Sequence, residues 1–182
     1  MTTDLSMYEC AIGESYASLP QAVQRFHRLK GRSALLGQVE TEAPDGVLAW
    51  LLAWCLGTPR SAVSGPLRFD IDAAPAVESW TRRFPTRTMS SRLRLVDGQI
   101  EEHLGAARLT FRLHPARRCL RMELTGMRFL RVPCPNWLLP RVVAEEAGDG
   151  DELHFNVLAA LPLIGVVANY RGHLRLGSQE RS

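Results

Sequence analysis

Glu102, Glu146 and Arg87 are the side chains best placed to do chemistry, because each shares strand parity with apolar neighbours. Glu102 falls on the face of Ile100 and Leu104, Glu146 on that of Val142 and Ala144, and Arg87 on that of Met89, Leu93 and Leu95. A carboxylate buried without a partner costs several kcal/mol, so an inward Glu102 and an inward Arg87 on paired strands should meet each other or the polar end of a ligand. Burial would also raise the pKa of Glu102 or Glu146, which is what a general base needs. The other reading places all three at sheet rims or bulges, where alternation slackens and charges reach water.

Two further features belong with this group. Tyr170 shares a face with Val166, Ala168 and Leu174, which predicts a buried ring with its hydroxyl hydrogen-bonded. The stretch FLRVPCPNWLLPR, residues 129–141, holds Pro133, Pro135 and Pro140 around Trp137. Proline fixes φ and removes a donor, so this loop keeps its shape without ladder hydrogen bonds. Trp137 and Met89 would then be apolar wall, and the loop a preorganised lid over an enclosed site. The plainer alternative is a crossover packed on the core.

No motif names a reaction. GxGxxG after a strand, GxxxxGK[ST], GxSxG and HExxH are all absent, so no cofactor and no metal is expected. Cys10, Cys55, Cys119 and Cys134 form no CxxC pair and read as reduced thiols. The net charge is +3, and Lys30 is the only lysine, so the positive charge is scattered arginine, not a basic tract. That excludes the usual nucleic-acid modules. The longest apolar runs, near residues 50 and 160, are about half of the roughly 20 residues a membrane span requires, and no segment resembles a signal peptide. A cytoplasmic protein without a membrane span is expected.

The elements that must position these residues follow from periodicity. Ser18 and Pro20 open a first helix with Leu19, Val23, Phe26 and Leu29 on one stripe, and Gly31 ends it. His27 lies off that stripe, where a histidine is more often a surface or hydrogen-bonded residue than a catalyst. Pro44 and Asp45 open a second helix, in which Val47, Leu48, Leu51, Leu52 and Cys55 make a broad apolar face flanked by Trp50 and Trp54. The period is two in SALLGQVETEA between the helices, and from residue 61 onward it stays at two, with Asp97-Gly98 as a strong hairpin turn. The expected fold is α+β: a strongly curved antiparallel sheet or β-barrel of about 8–10 strands with two N-terminal helices. Residues 1–18 read as an N-terminal arm, 19–176 as one domain and 177–182 as a disordered tail.

The blocks GPLRFDIDAAP, ESWTRRFPTRTMSSRL, MRFLRVPCPNWLLPRVVAEE and LPLIGVVANYRGHL, taken in order, resemble a bacterial family of uncharacterised domains, domain of unknown function 4166. Members stand alone or are fused behind an NAD-binding domain similar to saccharopine dehydrogenase. The resemblance implies no activity and no site residues, only a context in which an NAD-dependent reductase is a partner. Three functions then stand. The first is a binding module that encloses a small apolar or amphipathic ligand, such as a fatty acyl or polyketide-like compound, against Arg87, Met89, Glu102, Trp137, Glu146 and Tyr170. The second is an assembly module in which exposed Trp50 and Trp54, or the proline loop, dock on a partner or form a homodimer. The third is an enzyme using a buried carboxylate as general base. An enclosed cavity would favour the first, and uncovered tryptophans the second.

Overall fold

A computed structural model describes residues 5–177. The runs of period two become strands β1 (Gly31–Glu42), β2 (Val63–Ala74), β3 (Val77–Arg83), β4 (Thr88–Val96), β5 (Gln99–Leu104) and β6 (Ala107–Pro115). They continue as β7 (Leu120–Phe129), β8 (Val132–Pro133), β9 (Arg141–Asp149), β10 (Glu152–Leu161) and β11 (Gly165–Arg175). All pairings are antiparallel, and two observations close the sheet: β6 pairs with β7, and β1 pairs with β11. The result is a ten-stranded meander barrel with β8 outside it as a short extension on β7. Closure leaves no unpaired edge among the ten, which is the stable outcome for a twisted sheet of this width.

Helices cover both ends. Helix α1 (Met7–Ile12) is an addition to the sequence reading; Ser6 and Glu9 form a capping box at its start, with Glu9 N–H donating to Ser6 Oγ at 3.2 Å and Ser6 N–H to Glu9 Oε2 at 2.9 Å. Helix α2 (Gln21–His27) begins one residue after Pro20, and the Ser18 hydroxyl bonds Ser15 O instead of capping it. Met7, Tyr8, Val23, Phe26 and His27 are all buried, so α1 and α2 form a plug in one end of the barrel.

Helix α3 (Gly46–Leu56) crosses the opposite end, where β10 and β11 meet and where the β5–β6 turn lies. Asp45 N–H donates to Val166 O at 2.9 Å, Ala106 N–H donates to Cys55 O at 3.2 Å, and Gly57 terminates the helix at φ 77°. Helix α3 does not bury the broad apolar face that its sequence suggests. Its small residues Ala49 and Ala53 meet Val167 of the barrel, Leu52 and Leu56 are half-buried, and Val47, Leu48 and Leu51 lie outside with Trp50 and Trp54. Small side chains let the helix approach the strands closely, and that approach turns the larger residues outward. The end crossed by α3 is called the mouth below. The tail predicted over 177–182 lies outside the described residues from 178 onward.

Candidate functional site

Strand β3 directs Glu78, Trp80 and Arg82 inward by simple alternation, Phe84 just past its end keeps the same parity, and all four are buried. Arg82 is the centre of the group. Its guanidinium lies 5.0 Å from the Trp80 ring centroid and 5.5 Å from that of Phe69, and 3.6 Å separates its Nη2 from Glu102 Oε1 on β5. A second contact of 3.4 Å runs from Arg82 Nη1 to Ser91 Oγ. Delocalised charge over two aromatic faces is a favourable way to hold a buried cation. Glu102 Oε1 itself accepts no hydrogen bond among the described residues.

A second buried set lies against the plug. His27 Nε2 and Glu146 Oε2 of β9 are 2.5 Å apart, and the His27 ring stacks on Tyr8 with centroids separated by 3.6 Å. Trp80 Nε1–H donates to Glu78 Oε2 at 2.9 Å. Burial pushes the Glu78 carboxyl above its ordinary range, and Glu146 pushes the same way, while His27 and the Trp80 N–H oppose it. Burial, reinforced by the carboxylates of Glu146, Glu78 and Glu102, holds the Tyr8 hydroxyl far above ordinary phenol behaviour, and burial also raises the pKa of Tyr170. Three buried acids thus face one arginine and one histidine. His27 Nδ1 and the Tyr8 hydroxyl have no hydrogen-bond partner among the described residues.

Between the plug and the mouth runs a chamber of about 140 Å³. Phe26 and Leu153 wall its plugged end, Leu52, Leu56 and Thr58 its mouth, and Phe111, Val157 and Ala159 parts of its side. Its lining is overwhelmingly hydrocarbon, and Thr58, Arg82, Glu102, Glu145, Glu146 and Tyr170 supply the charged and hydroxyl groups.

The side chains singled out in the sequence separate into two groups. Glu102, Glu146 and Tyr170 line the chamber together. Met89 is 1% exposed and pairs across from Arg82 without lining the chamber. Arg87 is elsewhere: it lies just before β4 and beside Gly57, and partial burial and the neighbouring Arg60 lower its pKa. Arg82, not Arg87, is therefore the partner of Glu102. Parity could have found it, because Glu78, Trp80, Arg82 and Phe84 alternate along one face in the sequence. His27 was read as off the helix stripe. It is buried because the barrel closes over that side of α2.

The proline loop is divided. Phe129 and Pro140, its two ends, line the chamber, while Trp137 at its tip is 72% exposed. Exposed apolar side chains collect at this end of the molecule: Val47, Leu48, Trp50, Leu51 and Trp54 on α3, and Leu130, Val132, Trp137 and Leu163 on the turns and the loop. Among the described residues no helix is long and apolar enough to cross a membrane, and no group of three His, Cys, Asp or Glu is arranged to hold a metal ion.

Fold and site together define a closed meander barrel that surrounds an apolar chamber with a buried Arg–Glu pair. The chain belongs to the family described as Domain of unknown function (DUF4166), whose model matches residues 19–174. No curated protein matches it. Among solved structures it is similar to the protein in "Crystal Structure of Rv2717c from M. tuberculosis", at 11% identity and a TM-score of 0.47, with 90% of this chain and 99% of that chain covered.

Proposed function

We propose that the barrel is a binding module for a small, mostly apolar molecule with an uncharged polar end, held between Arg82, Glu102 and Tyr170. The chamber is the observation that supports this reading: hydrocarbon walls with the polar groups few and convergent. Arg82 and Glu102 offset each other's charge, so an ionised head group would leave one of them uncompensated. A hydroxyl, carbonyl or amide can accept from Arg82 or donate to the unsatisfied Glu102 Oε1. A cavity of about 150 Å³ accommodates benzene, so a chamber of about 140 Å³ suits a single ring or a short branched chain better than a long acyl chain. A reductase partner, as the family resemblance implies, would receive or supply such a molecule.

Native mass spectrometry and thermal shift against a panel of small cyclic alcohols, ketones and amides test the reading. A ligand at about 100 times its Kd adds about 2.7 kcal/mol, which raises Tm by about 5–10 °C for a chain of this size. Ala159→Trp, which fills the chamber, should remove the shift, and Arg82→Met should weaken it. A panel that gives neither a mass adduct nor a shift would refute it.

One observation favours a second reading. Glu146 lines the chamber with His27 behind it, the arrangement of a carboxylate whose proton can be taken up by a neighbouring imidazole. On this reading Glu146 abstracts a proton from a bound carbonyl compound. Deuterium from solvent should then enter a bound ketone, and Glu146→Gln should stop it; incorporation equal to that in buffer alone removes the enzyme reading and leaves the binding one standing.

A further inference from the structure

Among the described residues, nine of the twelve large exposed hydrophobic residues lie on α3 or on the loop and turns at the mouth, and three of the four tryptophans are among them. Helix α3 is apolar on every side, yet only Ala49 and Ala53 are fully covered. A surface helix of this composition ordinarily has something against its outer face.

The backbone around it supports the same conclusion. The two-residue turn between β7 and β8 holds Leu130 at φ 49° and Arg131 at φ 71°, and the β10–β11 turn holds Leu163 at φ 65°. These are left-handed conformations that favour glycine or asparagine. At Leu130 and Leu163 they project a leucine into solvent, the latter 99% exposed. Strain retained at two apolar tips on one end of a barrel points to selection for what those tips touch.

Charge decides the occupant. Arg60 lies over the Trp50 ring, 4.7 Å from its centroid, and close enough to Arg87 to lower its pKa. Neither arginine makes an ion pair among the described residues, whereas most arginines on the barrel wall are paired with carboxylates, such as Arg121 with Glu145 and Arg171 with Glu40. A second copy using the same face across a twofold axis would bring these unpaired cations together and close the mouth. Indole rings, leucine tips and uncompensated arginines on one surface match the interface of an anionic bilayer.

We infer that the mouth end, through α3, Leu130, Trp137 and Leu163 with Arg60 and Arg87, docks reversibly on an anionic phospholipid surface. The docking goes beyond the chamber's ligand reading and is independent of it, because the surface lies outside the chamber.

Cosedimentation with phosphatidylcholine vesicles, with and without phosphatidylserine, tests this on the protein as purified. Binding to the serine-containing vesicles should be at least about tenfold tighter and should fall with salt. Arg60→Gln and Arg87→Gln should each weaken it about fivefold. Trp137→Ser and Leu163→Ser should remove most of it while melting curves confirm folding. Brominated lipid should quench tryptophan fluorescence, with the buried Trp80 remaining as the unquenched fraction. Absence of binding to serine-containing vesicles would overturn the proposal, and equal binding to both vesicle types would overturn its electrostatic part. A dimer in sedimentation analysis that Trp137→Ser dissociates, without vesicle binding, would assign the face to a second copy instead. The vesicle result does not depend on a chamber ligand, so its failure leaves the ligand proposal intact.

Discussion

The two ends of the barrel are closed by opposite means. At the plugged end, α1 and α2 insert Tyr8, Phe26 and His27 into the interior and tie them to Glu146 and Trp80. The turns there use Asp97-Gly98 and Gly150, residues that adopt positive φ readily. At the mouth, α3 rests on two alanines, leaves its large side chains outside, and two of the turns place leucines where glycine would be easier. The difference teaches that stability is concentrated at one end, while the other carries strain and exposed apolar surface that stability alone would not select.

Breaking the plug should have the largest effect. His27→Leu leaves Glu146 buried without its partner and should lower unfolding stability by about 3–5 kcal/mol in urea titration. At the mouth, Gly105→Ala should cost about 1–3 kcal/mol, because a Cβ there would lie 2.4 Å from Cys55 O and φ is +54°. Faster hydrogen exchange confined to α3 and the β5–β6 turn would confirm that only the helix has loosened.

Glu78 tests the electrostatics of the plug. Its carboxyl pKa is raised in the folded chain, so the folded state keeps a proton in a pH range where the unfolded chain has lost it. Stability therefore falls as pH rises from the ordinary carboxylate range through the raised value and stays lower above it. Glu78→Gln cannot ionise and can still accept from Trp80 Nε1. It should be more stable than the parent at neutral pH, converging with it in acid, as thermal melts across pH would reveal.

Three mouth substitutions complete the comparison. Leu163→Asn should stabilise by about 0.5–1 kcal/mol by relieving the left-handed strain, and so separate stability from docking. Leu48→Ser with Leu51→Ser should change stability by no more than about 0.5 kcal/mol each, since both residues are already exposed.

The fold was legible in the sequence because period two runs from residue 61 to the end and tight turns join most strands. Strand parity also placed Glu102, Glu146 and Tyr170 inward, and there the structure agrees. Arg87 misled because it precedes the ladder of β4, beyond the point where alternation has meaning, and Arg82, which shares parity with Trp80 on β3, was missed. His27 and Tyr8 were illegible for a different reason: their burial depends on which strands close over α1 and α2. No local pattern carries that information. Trp50, Trp54 and Trp137 could be read only as covered or uncovered, since a tryptophan's fate is decided by its surroundings and not by its spacing.

The seam between β1 and β11 has a consequence for how the barrel forms in time. Every other ladder joins strands that are neighbours in the chain or separated only by β8, whereas Leu36 pairs with Arg175 and Glu42 with Asn169. At this seam Gly37 admits no side chain, because a Cβ would lie 1.8 Å from His173 O. Closing it requires the loss of loop entropy over most of the chain, so the meander can zip hairpin by hairpin while the seam waits. Folding should then end with a slow docking step in which the β1–β11 amides gain protection last, and Gly37→Ala should prolong that phase without delaying the hairpins.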